Sequence, residues 1–256
     1  MPTSLSTARH HEVAATAGRR LLDLAAAAGL DAPVPTCPSW DVRALVAHQA
    51  MVHLWSTAHL RGDDPDLVPN QTDLRTHDDL LALAADALTG VLAAIAEASA
   101  DLRAMTFLND CPPPAAFWAR RQAHETTMHM VDALAASLGR VPTADEAAIE
   151  LDVAVDGLDE LLRGFFTRGR SKLFDGEPFT FVVAPTDHDE RFVVRVDEKL
   201  TVDAPGGEAP ADATVLSGSA AALYLALWNR GDDVEVGGGP STLLERWRGT
   251  QRVRWS

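Results

Sequence analysis

The hydrophobic pattern of this chain changes character once, and that change constrains the fold more than any other feature. Over about the first 165 residues, apolar side chains recur at helical spacing; beyond them, short β-branched runs alternate with Gly and Pro. Thr7 to Ala28 carries Val13, Ala17, Leu21, Leu22 and Ala25 on one face, and Gly29 is its stop. A Pro-rich loop, DAPVPTCPS, leads to Ser39, the expected N-cap of a second helix from Trp40 to about Arg61. Asp41 sits well for the helix dipole there, and Leu45, Val46, Val52 and Trp55 supply the apolar positions. After a polar loop, an alanine-rich third helix is expected over about 78–99. A fourth follows NDCPPPAA, over roughly 117–138, and ends at Gly139. Four long helices of similar length predict a four-helix bundle.

Thr143 and Glu146 form a capping-box pattern that opens further helical sequence, including LDELLRGFF. The segments PFTFVVAP, ERFVVRVD and LTVDAP then read as strands. SGSAAALYLALWNRG returns to helix, DVEVGGG is a short strand or turn, and STLLERWRG is a closing helix. The expected fold class is α+β, with a helical bundle over residues 1–168 and a small α+β domain over 169–256. No repeat of 20–50 residues is visible.

Composition narrows the function. Hydrophobic residues are 46% of the chain, enough for a sizeable core, and the net charge of −15 argues against nucleic acid or an anionic membrane as partner. Cys37 and Cys111 are far apart, each before a proline, and form no disulfide framework. The N-terminal residues carry no signal pattern, and no uninterrupted apolar run approaches the ~18 residues of a membrane helix. A reducing, cytoplasmic compartment is the expectation. Only Lys172 and Lys199 are lysines among 22 basic residues, a bias that fits a GC-rich actinobacterial genome.

The stretch RRQAHETTMHMVD, residues 120–132, holds the candidate chemistry. It resembles the zinc-protease pattern H-E-x-x-H, but its second histidine comes one residue late. At about 100° per residue, His124 and His129 point about 140° apart and cannot clasp one ion. Glu125 and His129, four apart, share a face, and Asp132 continues that stripe. A third donor is needed, and His48, mid-helix among Val46, Ala47 and Ala50, is the best candidate. His53 faces elsewhere, and His59 lies about 16 Å along the helix. Two imidazoles and a carboxylate suit zinc and leave one coordination position open. The plain alternative is an exposed Glu–His pair, with Arg121 completing a surface ion pair. Trp40 and Trp55 read equally as core or as facing a ligand, and His10 and His11 read as solvated residues near a frayed terminus.

Taken together, CPSWDVRALVAHQAMVHLW and RRQAHETTMHMVDA resemble the two signature segments of the mycothiol-dependent maleylpyruvate isomerase family. The resemblance covers roughly residues 8–165. LSGSAAALYLALWNRG and VEVGGGPSTLLERW are similar to that family's smaller companion domain, related to sterol carrier proteins. The resemblance implies a DinB-like bundle binding zinc or another divalent metal through His48, Glu125 and His129. It further implies that Asp132 matches an aspartate associated with activity, and that Arg230 matches a C-terminal arginine that helps in the isomerase. Mycothiol is then the thiol cosubstrate and a small electrophile its partner, with cis–trans isomerisation or S-transfer as the reaction. Two other readings stay open: a metal-binding bundle that binds a small ligand or regulates without thiol chemistry, and a member that keeps the fold with little catalysis. Monomer and homodimer are both open.

Overall fold

The computed structural model describes residues 5–239 and 241–251. They form two compact units, one of residues 5–106 with 112–142, the other of 107–111 with 143–251.

The first unit is helical. Helix α1 (Thr7–Ala28) is capped by Ser6, whose hydroxyl accepts from the Arg9 amide, and Gly29 ends it at φ 85°. Helix α2 (Val42–Arg61) starts later than the sequence suggests. Its cap is Asp41, which accepts from Ala44 N at 2.7 Å and also holds Arg75, rather than Ser39. The reason is local: Val34 N bonds Trp40 O and Trp40 N bonds Cys37 O, so residues 34–40 close into a turn before the helix begins. The polar loop beyond Gly62 contains a 3-10 turn, Pro65–Leu67, and a one-turn helix α3 (Gln71–Leu74). Helix α4 (Leu80–Glu97) is capped by Asp79. Helix α5 (Pro114–Leu138) begins a turn earlier than expected because Pro114 suits the first helical position, and it ends on Gly139 in the left-handed conformation.

These four long helices pack as a bundle, with α5 against α1 and α2, and α4 against α1 and α2. Gly18 makes one of these contacts possible, since a Cβ there would sit 2.6 Å from the Leu88 methyls. By length and composition α4 is apolar enough to cross a membrane, with mean hydropathy 1.8, although Asp86 and Thr89 interrupt its apolar run. Leu80, Ala84, Ala87, Leu88, Val91, Ala94 and Ile95 form its buried stripe, the pattern of a core helix. Helix α5 is buried from Phe117 to Ala136, polar residues included. Buried polar groups must find partners, and those partners build the site described below.

The second unit is α+β. The Thr143–Glu146 capping box is present, but helix α6 (Ala144–Ala147) is a single turn, broken at Ala148 with φ 53°. Helix α7 (Leu151–Asp159) continues as a π-helical turn over Glu160–Phe165. Strands β1 (Phe179–Pro185), β2 (Phe192–Val196) and β3 (Leu200–Val202) form an antiparallel meander. Strand β4 (Thr214–Gly218) pairs parallel to β1, and β5 (Glu235–Gly237) closes the order β3-β2-β1-β4-β5. The sequence expectation assigned no element to Thr214–Leu216 and took Ser217 and Gly218 into the helix that follows. The strand has only five residues and runs straight into Ser219, the cap of α8 (Ala220–Leu227), without a turn between. Helix α9 (Leu243–Thr250) completes the unit, and its Trp247 donates an indole N–H to Leu227 O. Phe181, Phe192, Leu216, Leu223, Tyr224 and Trp247 are among its buried core.

Candidate metal centre

Helices α2 and α5 bring His48, Glu125 and His129 together inside the first unit, all three buried. Glu125 Oε1 lies 3.3 Å from His48 Nε2 and 3.2 Å from His129 Nε2. The two rings meet edge to face at 4.9 Å between centroids. The i, i+4 spacing that puts Glu125 and His129 on one face of α5 is therefore completed by a residue 77 positions away on α2. Four-coordinate zinc with bonds of ~2.0–2.1 Å sets its ligand atoms about 3.3–3.4 Å apart, and the two separations from Glu125 Oε1 fit such an ion.

Two of the three donors are held from behind by hydrogen bonds. The Arg121 guanidinium donates to Glu125 Oε2 at 2.8 Å and leaves Oε1 facing the histidines. His129 Nδ1–H donates to Asp132 Oδ2 at 2.9 Å, which directs Nε2 inward. Asp132 is fully buried and also accepts from the Thr36 hydroxyl at 2.6 Å and the Cys37 thiol at 3.6 Å. The Trp40 indole stacks on His129, 25° between planes, and tilts over His48 at 4.9 Å. Trp40 thus covers the ligand set, whereas Trp55 packs edge-on against Trp118, away from it.

Electrostatics follow from this packing. Burial penalises the Glu125 carboxylate, but hydrogen bonds from His129 and His48, with the charges of His129 and Arg121, hold its pKa well below the usual range. Burial lowers His48, and the Glu125 bond only partly opposes it. Burial also pulls His129 down, yet bonds to Asp132 and Glu125 outweigh it and raise the group to about 9. Without a metal, then, the pocket holds one imidazolium between two carboxylates.

The other histidines sit elsewhere. His124 turns away and meets His10 edge-on at 6.1 Å. His10 is buried in α1, not solvated as its place near the terminus suggested, because α1 starts at Thr7 and packs on α5. His53 Nδ1–H donates to Gln122 Oε1, and the Gln122 amide donates to Ser56, making a polar seam between α2 and α5. His59 stacks on Trp118. Arg230 belongs to the second unit. It follows α8, and its guanidinium donates to Trp228 O at 2.7 Å.

Sequence reasoning left open whether Arg121 makes a surface ion pair; the residue is 1% exposed and its pair with Glu125 is internal. It also missed Thr36 and Cys37 as partners of Asp132. No local pattern marks them, since they stand 96 and 95 residues away in the chain.

Comparison with known proteins gives the family. Residues 11–134 match the family model described as the mycothiol maleylpyruvate isomerase N-terminal domain, and residues 152–246 match the MDMPI C-terminal domain. No curated protein matches the chain significantly. The fold is similar to the crystal structure of the mycothiol-dependent maleylpyruvate isomerase, with TM-score 0.64 and 17% identity over 99% of this chain and 100% of the other. A histidine-to-alanine mutant of that enzyme gives TM-score 0.66 and 16% identity at the same coverage. Between them the two family models account for most of residues 11–246, and the chain is a member of the mycothiol-dependent maleylpyruvate isomerase family of enzymes.

Proposed function

We propose that this chain is a mycothiol-dependent enzyme whose bundle holds a divalent metal, zinc by its donor set, on His48, Glu125 and His129. The observation that carries the reading is that Glu125 Oε1 lies 3.3 Å from His48 Nε2 and 3.2 Å from His129 Nε2, with all three ligand atoms within 4.8 Å of one another and outer partners in place for Glu125 and His129. A zinc ion held there supplies a Lewis-acidic position at which a thiol loses its proton near neutral pH.

The protein's own groups do the rest. Arg121 holds Glu125 Oε2 and leaves Oε1 to the histidines, and Asp132 fixes the His129 tautomer and ring orientation. Asp132 accepts hydrogen bonds on both oxygens, which favours an orienting role over proton transfer. Trp40 shields the histidines from water on one side. The cosubstrate thiolate adds to the double bond of a small electrophile. In isomerisation the bond, now single, rotates and the carbanion expels the thiolate again; in S-transfer the carbanion takes a proton from solvent and the adduct leaves. Arg230 is assigned to a substrate carboxylate, whose two oxygens match the guanidinium fork.

Calorimetric titration of mycothiol into zinc-loaded protein, beside Glu125→Ala, tests the reading. Zinc-dependent binding with proton release, lost in the variant, is the expected result. Absence of binding to folded, zinc-loaded protein would leave a metal bundle without thiol chemistry.

A further inference from the structure

The turn that delays the start of α2 has a second consequence. Hydrogen bonds from Val34 N to Trp40 O, Cys37 N to Val34 O and Trp40 N to Cys37 O close residues 34–40, and a bridge joins Pro33 to Asp41. In this closed turn the Thr36 hydroxyl lies 2.6 Å from Asp132 Oδ1, the length of a charge-assisted O–H···O⁻ bond. The neighbouring Cys37 thiol reaches Oδ2 at 3.6 Å, and a thiol is a weak donor. Asp132 in turn takes the Nδ1 proton of His129. A continuous line of hydrogen bonds therefore runs from the loop hydroxyl through a fully buried carboxylate to the ring that faces Glu125.

We propose that Thr36 is a positioning residue of the metal centre: its hydroxyl orients the Asp132 carboxylate, which fixes His129 with Nδ1 protonated and Nε2 aimed at the ion. The proposal rests on the reading of His48, Glu125 and His129 as metal ligands. Its physical basis is that an Asp side chain rotates about two bonds, while His129 donates to Oδ2 and Thr36 to Oδ1. A donor on the second oxygen holds the carboxylate plane, and the ring orientation follows. A methyl in place of the hydroxyl removes this 2.6 Å bond from the buried carboxylate, which lets Asp132 turn and with it the imidazole.

The test uses the full chain as Thr36→Val, Thr36→Ser and Thr36→Ala, with zinc affinity measured by chelator competition. His129 Nδ1–H is followed by nitrogen–proton NMR in both metal-free and zinc-loaded protein. Expected is a loss of zinc affinity of about 10-fold or more in Thr36→Val and Thr36→Ala, with near-complete rescue in Thr36→Ser. The Nδ1–H signal should shift and exchange faster in the first two variants only. Thr36→Ala supplies the deletion should Thr36→Val not fold. Equal affinity and an unmoved signal in the deletion variants would overturn the proposal. So would equal weakening in Thr36→Ser, since the loop's shape rather than its hydroxyl would then matter. If the parent protein binds no zinc, the metal reading fails by itself, and the metal-free NMR signal still decides whether Thr36 controls His129.

Discussion

Metal and proton compete for the same atom of His129, and the structure sets the size of that competition. With the imidazole raised to about 9, Nε2 carries a proton at neutral pH, shared with Glu125 Oε1 at 3.2 Å. A metal ion must displace it. At pH 7 the neutral ring is present about one time in a hundred, so apparent affinity is about 100-fold weaker than intrinsic, roughly 2.7 kcal/mol. His48 is lowered and Glu125 is held well below the usual range, so neither adds a proton to the exchange near neutrality. Zinc affinity should therefore rise about tenfold per pH unit between pH 6.5 and 8.5, flattening only near 9. Competition with a chromophoric chelator, in a buffer that does not bind zinc, measures this directly. Asp132→Asn should bring the flattening to lower pH, because the Asp132 bond is what chiefly opposes the effect of burial on His129. A pH-independent affinity, or a slope of two protons, would refute the reasoning.

Three further outcomes are expected, the first two from this packing and the third from the role that the family resemblance gives Arg230. Arg121→Met removes a fully buried partner of Glu125 but leaves the carboxylate its bonds to His129 and His48, so urea denaturation of the metal-free protein should show a loss of about 1–3 kcal/mol; no measurable loss would mean that the histidines compensate Glu125 fully. His53 is lowered by burial to about 4, so the unfolded chain takes up a proton that the folded chain refuses. Its stabilising contribution is complete above about pH 6.5 and is lost as pH falls toward 4, amounting to about 3 kcal/mol over the window. In His53→Gln, denaturation between pH 7.5 and 5 should show about 2 kcal/mol less acid destabilisation than in the parent; an unchanged difference would contradict the assignment. Arg230→Met should raise KM for a carboxylate-bearing substrate about tenfold or more while leaving zinc affinity intact. Steady-state kinetics beside chelator competition checks this, and a variant with parental KM would remove Arg230 from the proposed site.

Helix limits were legible wherever a terminus is punctuated locally. Gly29 and Gly139 end α1 and α5 at the expected residues, because a left-handed or open backbone favours glycine regardless of what packs nearby. The helical period alone separated His124 from His129 and paired Glu125 with His129, since both relations depend only on 100° per residue. The limits failed where two caps compete. Ser39 and Asp41 both suit an N-cap, and the bonds closing residues 34–40 chose Asp41. They failed again at β4, whose identity as a strand comes from its place beside β1 rather than from its five residues.

The remainder of the site belongs to tertiary structure. That His48 meets Glu125, that Thr36 and Cys37 reach Asp132, and that Arg121 lies inside rather than on the surface all require chain segments 77 to 96 residues apart, or neighbouring helices, to come together. By itself the sequence determined which side chains share a face of α5, because bond geometry repeats at every residue. Which of those faces became a buried, hydrogen-bonded pocket was decided only by packing, because burial is a property of what the other helices cover.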